Sequence, residues 1–252
     1  MNRRRQNDVT FHTNLTIKSP ERTGAVDINE NRYWNMQLAI DYIQGLIFQP
    51  GEIFSFWDQI PRPTLGNGFR SGPMLVRGQL KTDVGGGLCQ ISTTLFGAFL
   101  QANFEILEHY NHSIDAHGSD RFFTLGQDAT VAYGYKDLMV RNSSTVPLQL
   151  HLQLDQNSMT MTANIWGTEP SSVKVRLTSE VIEQLPVSQP QGISGWRVKT
   201  QRWVTPVLDN NKNLAEKVNH QYISFYQPFV KSSPAEVPEV NDKQLATPTQ
   251  IK

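Results

Sequence analysis

The chain's one cysteine, Cys89, stands one residue after three consecutive glycines, Gly85, Gly86 and Gly87, and before an apolar run from Ile91 to Leu100. Glycines allow a tight turn at positive φ. The run that follows predicts a helix over about 89–103, opened by the cysteine. The first turn of a helix carries N–H groups without intrahelical acceptors and the positive end of the dipole, so an anion is favoured there. A thiolate is such an anion, and a helix N-terminus lowers the pKa of a thiol. The pattern therefore predicts a reactive Cys89. The same residues also describe a small buried hydrophobe at a packing turn, and nothing local separates the two.

A cysteine nucleophile needs a base, and usually a third group to orient that base. His109, His112 and His117 follow, and then Asp128. His112 falls just past a predicted strand over 104–109, and Asp128 opens the next strand candidate. The order Cys, His, Asp is similar in layout to the transglutaminase-like and papain-like hydrolases, where a helix-start cysteine faces a histidine on a neighbouring sheet. His112 is the candidate base. Asp128, or Asp115 three residues from His112, is its candidate orienter, and a purely local His112–Asp115 pair holding a loop fits as well. Gly87, Gln90 and Ser92 belong to the turn, where the N–H groups of Cys89 and Gln90 would face a developing oxyanion.

Other chemistries fit less well. Glu108, His109, His112 and His117 lack the spacing of a zinc site, and a lone cysteine adds little. The glycine turn lacks the lysine of a phosphate loop. No metal and no cofactor is expected. A second kind of function, a binding groove for a peptide or glycan, would use Trp57, Phe69 and Arg70 beside the Pro- and Gly-rich stretch from Pro61 to Gly72. Arg70, Arg77 and Arg121 have the fork that grips a carboxylate. A third is a structural or assembly role, with the glycines serving only close packing.

The elements that must position these residues read as an α+β fold, a mostly antiparallel sheet packed with helices. Trp34, Leu38, Ala39, Tyr42, Ile43, Leu46 and Ile47 recur at helical spacing, which predicts a helix before residue 50, ended by Pro50-Gly51. Strands are predicted over 52–56, 74–77, 104–109, 129–133, 138–142, 148–154 and 159–165. Residues 1 to about 30 read as an irregular lead-in, 31–168 as the main domain, and 169–230 as a small β-rich C-terminal extension. In the extension, strands are expected at 196–204 and 222–225 with a turn at 209–213. The polar residues 231–252 read as a disordered tail.

Composition excludes several classes. Lys+Arg and Asp+Glu both number 23, so no net basic field exists to bind nucleic acid. One cysteine leaves no internal disulfide. No apolar run is long enough to span a membrane. The basic start is not followed by an apolar signal core, which predicts a cytoplasmic chain, or one of the cell envelope if a leader is missing.

Several motifs together resemble the VanW family: Pro50-Gly-Glu-Ile-Phe-Ser-Phe-Trp57, Gly68-Phe-Arg-Ser-Gly72, Gly85-Gly-Gly-Leu-Cys-Gln-Ile-Ser92, Glu108-His-Tyr-Asn-His-Ser113, Gly126-Gln-Asp-Ala-Thr-Val131 and Asp137-Leu138. The resemblance runs from about Trp34 to Gly167. It implies an association with bacterial cell-envelope biology and glycopeptide (vancomycin) resistance rather than a defined reaction. Its motif residues fall on Gly87, Cys89, Gln90, Ser92, His112, Asp115 and Asp128. Together with the residue chemistry, it leads to the expectation of Cys-His dependent acyl transfer or hydrolysis on a peptide-like, peptidoglycan-related amide. The alternatives are a binding module for a cell-wall peptide or glycan, or an assembly factor.

Overall fold

A computed structural model describes residues 9–14, 28–76, 79–116, 118, 121–158, 160–187, 189, 192–207 and 215–230. The described helices are α1 (Ile28–Ile43), the short α2 (Phe56–Gln59) and α3 (Leu88–Gln101). The strands in chain order are β1 (Val9–Asn14), β2 (Ile47–Phe48), β3 (Ile53–Ser55), β4 (Ser71–Val76), β5 (Gln79–Val84), β6 (Glu105–Glu108), β7 (Met139–Arg141), β8 (Leu148–Asp155), β9 (Thr160–Gly167), β10 (Val173–Leu185), β11 (Gly192–Ile193), β12 (Gly195–Pro206), β13 (Lys217–Tyr226) and β14 (Phe229–Val230). Every pairing between them is antiparallel. The architecture is α+β, with sheets in the orders β1–β9–β8–β2, β3–β7–β6 and β10–β12–β13, and two-stranded ribbons β4–β5 and β11–β14.

The core lies around α3. From Gln90 to Leu100 every residue of this helix is buried, the pattern of a helix surrounded by protein rather than lying on a surface. Alternation in β9 turns Met161, Ala163 and Ile165 inward. Across from them, Leu150 and Leu152 of β8 do the same. Phe48, Phe54, Phe99 and Phe104 pack edge-on and tilted with centroids 4.9 to 6.0 Å apart, the geometry aromatic rings prefer over face-to-face stacking.

Several expectations change. The first helix ends at Ile43, because Gly45 takes φ 80° and Ile47 then pairs with β8. Its buried face is Met36, Ala39, Ile40 and Ile43, while Trp34 and Tyr42 face outward. The expected stripe shares Ala39 and Ile43 with this face and differs at Trp34 and Tyr42, because the buried stripe is rotated toward Met36 and Ile40. Val9–Asn14, in the stretch expected to be irregular, adds a strand to the edge of β9. Residues 129–133 do not form a strand. Ala129 N–H donates to Thr93 Oγ1, and Ala129 O accepts from Ser92 Oγ and Thr93 Oγ1, so hydroxyls of α3 replace a ladder. In the C-terminal extension, expected to be β-rich, β10 spans 13 residues where no strand was assigned. The turn at 209–213 and the tail from 231 lie outside the described residues.

The far end of α3 meets the C-terminal sheet. The buried Arg202 on β12 donates from Nη1 to Phe104 O at 2.6 Å, with Leu100 O at 3.4 Å. A cation at the carbonyl end of a helix complements its dipole. Burial lowers its pKa to about 10, so it stays charged at neutral pH. Replacing Arg202 with Met keeps the stem and removes these donors. Leu100 O keeps the Asn103 N–H, so the expected loss is about 1–3 kcal/mol, the scale of one buried acceptor losing its donor, to be read by urea denaturation.

Candidate functional site

Cys89 is the second residue of α3, whose N-cap is Gly87 at φ 113°. The glycine turn before it is clamped from α1. The fully buried Asn35 donates to Gly86 O at 3.1 Å and Arg70 O at 2.8 Å, and accepts from Arg70 N–H at 2.7 Å. A buried amide satisfied by backbone groups on two segments fixes both. The helix start therefore has a set position relative to α1 and β4.

Cys89 is half-buried. Its sulfur lies 3.4 Å from Thr130 Oγ1 and 3.7 Å from Val131 O, on the segment that α3 hydroxyls hold. His112 is anchored from behind. Its Nδ1 is 2.6 Å from Asp128 Oδ2, and its own backbone N–H donates to the same oxygen at 2.7 Å. With Nδ1 committed, Nε2 is the ring nitrogen left for the sulfur. Asp128 is fully buried and also accepts from the Tyr226 hydroxyl on β13.

The electrostatics follow from these contacts. Burial pushes the Cys89 thiol up, but the hydrogen bond and charge of His112, with help from Thr130 and Val131, bring it down to about 7. Burial alone would lower His112. The bond to Asp128 and the adjacent sulfur outweigh it and raise the imidazole to about 10. Burial acts against the Asp128 carboxylate too, yet the donors from His112 and Tyr226 hold it below the usual range. A thiolate–imidazolium pair backed by a carboxylate is the state these directions describe.

The other expected residues are placed as follows. Asp115 is buried and bonded to Arg121 Nε at 2.8 Å, so its carboxylate is directed to a guanidinium. Gln90 N–H donates to Gly87 O at 3.0 Å, and its Oε1 accepts from Arg32 Nη2 at 2.7 Å. Ser92 Oγ donates to Ala129 O at 2.7 Å, fastening the helix to the 129 segment. Trp57 donates from Nε1 to Lys136 O at 2.8 Å and meets the ring of Tyr133 edge-on at 5.4 Å. Phe69 is in the core, and Arg70 lies over the Trp34 ring at 3.8 Å. Trp57, Phe69 and Arg70 thus do not share one exposed wall. His109 stacks on Phe96 and reaches Asp128 O with Nε2 at 2.7 Å. His117 and Arg77 lie outside the described residues.

Three contributors escaped sequence reading: Thr130, Arg32 and Tyr226. Thr130 carried a faint signal, two residues beyond Asp128. Arg32 and Tyr226 carried none, since each arrives from a distant element.

The model of the family described as "VanW like protein" matches residues 31–166. The chain belongs to the VanW family. Both Cys89 and the His112–Asp128 pair fall inside the VanW segment. The chain is 33% identical over 150 residues to "Vancomycin B-type resistance protein VanW" of Enterococcus faecalis (strain ATCC 700802 / V583), covering 59% of this chain and 54% of that protein. It is 30% identical over 158 residues to "Uncharacterized protein YoaR" of Bacillus subtilis (strain 168), covering 63% of this chain and 50% of that protein. The chain thus spans about half the length of these curated VanW relatives. No solved structure matches it at a comparable level of similarity. No helix among the described residues is long and apolar enough to cross a membrane.

Proposed function

We propose that this VanW-family chain is a cysteine-dependent acyl transferase or hydrolase acting on a peptide-like amide of the cell envelope. The observation that carries the reading is His112 locked through Nδ1 and its backbone N–H onto buried Asp128, beside a sulfur at the start of α3. The name of the Enterococcus relative, a vancomycin resistance protein, supports an envelope setting. The exposed Tyr133 ring against Trp57, two residues beyond Val131, offers a wall for a peptide or sugar.

In this reading the Cys89 thiolate attacks the amide carbonyl carbon, and the tetrahedral intermediate gathers charge on oxygen near the helix start. Collapse breaks the C–N bond. The His112 imidazolium gives its Nε2 proton to the departing amine, leaving a thioester on Cys89. Neutral His112 then takes a proton from the incoming water or amine, which displaces the sulfur and restores thiolate and imidazolium.

The test is the pH dependence of iodoacetamide alkylation of the folded protein. Cys89 has a folded pKa below its unfolded value, and only the thiolate reacts. Reactivity is expected to rise with a midpoint of about 7. A midpoint near the ordinary thiol value of about 9 would remove the nucleophile. Cys89→Ala separates enzyme from binder: a binder retains a peptidoglycan stem peptide, whereas the enzyme loses turnover with its fold intact.

A further inference from the structure

The clasp on Asp128 comes from beyond the family-matched segment. Gly126 N–H donates to the Tyr226 hydroxyl at 2.9 Å, and that hydroxyl in turn donates to Asp128 Oδ1. Gly126 O accepts from Tyr222 Oη at 2.8 Å and Thr200 Oγ1 at 3.2 Å. The approach is too close for any side chain at residue 126. A Cβ there would lie 2.6 Å from Thr200 Oγ1 and 2.8 Å from Val198 Cγ1, and φ is 91°. The His112 side is held by the same strand end, with Asn111 Nδ2 donating to Phe225 O at 2.9 Å and Gln227 N–H to Ser113 O at 2.7 Å. β12, β13 and the residue after β13 thus grip both halves of the His112–Asp128 pair.

We propose that the C-terminal sheet is an integral part of the Cys89 site, with Tyr226 as a positioning residue whose hydroxyl orients the Asp128 carboxylate toward His112 and stabilises its charge. The geometry divides the carboxylate's work. Oδ2 takes both His112 donors, and Oδ1 takes Tyr226. A fully buried carboxylate needs a donor on each oxygen. Burial and the Asp128 charge both hold the Tyr226 phenol in its protonated, donating form. The titratable groups facing Asp128 are His112 and His109 from the segment after β6, Tyr222 and Tyr226 from β13, and Cys89 of α3 beyond the imidazole. Among them only Tyr226 and His112 bond its side chain. The proposal rests on the cysteine-dependent reading for its functional meaning, and its test does not.

Tyr226→Phe keeps the ring and deletes the donor. In the full chain labelled with 13C at aspartate Cγ, Asp128 is expected to titrate at least tenfold more easily, one pH unit or more above the unaltered protein. 3-Fluorotyrosine at 226 keeps the hydroxyl with a more acidic proton and should leave Asp128 titrating at or below its original pH. That variant also decides the matter if Tyr226→Phe fails to fold. Unchanged Asp128 titration in the phenylalanine variant, or a raised one with fluorotyrosine, overturns the proposal. If the unaltered Cys89 alkylates as an ordinary thiol, the enzymatic reading falls, while the Asp128 titration still decides the role of Tyr226.

Discussion

Replacing Asp128 with asparagine will return the Cys89 thiol from about 7 toward its ordinary value near 9, and will destabilise the fold. The carboxylate is what keeps His112 protonated to about 10, and the imidazolium is what keeps the sulfur ionised. Asparagine removes the charge and supplies one acceptor where two are used. Its carbonyl oxygen would take the two His112 donors, and its NH2 would face a Tyr226 hydroxyl that already accepts from Gly126 N–H. The hydroxyl proton is then left without an acceptor. Breaking a buried pair by removing one partner costs about 3–5 kcal/mol. The thiolate fraction at pH 7 falls from about one half to about one hundredth, partly offset in rate because a more basic thiolate is more nucleophilic. The midpoint of the pH profile is therefore the better readout, with urea denaturation for stability. A midpoint that stays near 7 would mean His112 does not owe its charge to Asp128.

The linkage signs define a pH window for the pair. Cys89 has a lowered pKa, so its contribution to stability is complete above its unfolded value near 9 and is lost as pH falls through about 7. His112 has a raised pKa, so its contribution is complete below about 6.5 and is lost as pH rises through about 10. The ion pair itself exists between about 7 and about 10.

The second large effect is expected at Gly86. An added Cβ would sit 2.6 Å from Gly72 C, Gly72 O and Pro73 O, all backbone atoms of β4. No rotamer relieves a clash with backbone, so Gly86→Ala must displace either the β4–β5 ribbon or the turn that opens α3. The cost is expected to exceed about 3 kcal/mol, beyond ordinary overpacking. Any folded fraction should show a higher Cys89 titration midpoint, because the sulfur moves relative to His112. Gly66→Ala is the control. Its nearest neighbour is Thr64 Oγ1 at 3.8 Å, so the change should stay within about 0.5 kcal/mol. Equal stability of the two variants would show that the turn can shift without cost.

Local pattern carried a good part of this molecule. The alternating leucines at 148, 150, 152 and 154 mark β8, because a strand with one buried face must repeat every two residues. The glycine triplet and the apolar run put Cys89 at a helix start, because both signals act within one turn of chain. Local pattern failed where partners meet from afar. β10 alternates over Val173, Val175 and Leu177, but the rhythm fades into the polar and exposed residues up to Leu185, where the strand is held by its ladder with β12. Residues 129–133 have the composition of a strand, yet their backbone bonds go to hydroxyls of α3.

The two aspartates make the same point at the site. Asp115, three residues from His112, and Asp128, further along the chain, both stood as candidate partners of His112. Packing gives Asp115 to Arg121 at 2.8 Å and Asp128 to His112 at 2.6 Å. Tyr226 reaches Asp128 across 98 residues. Hydrogen bonds of that span depend on how β13 lies against the segment after β6, and no periodicity in the chain encodes that approach. Chain chemistry named the cysteine and its histidine as candidates; the packed sheet chose which acid stands behind them.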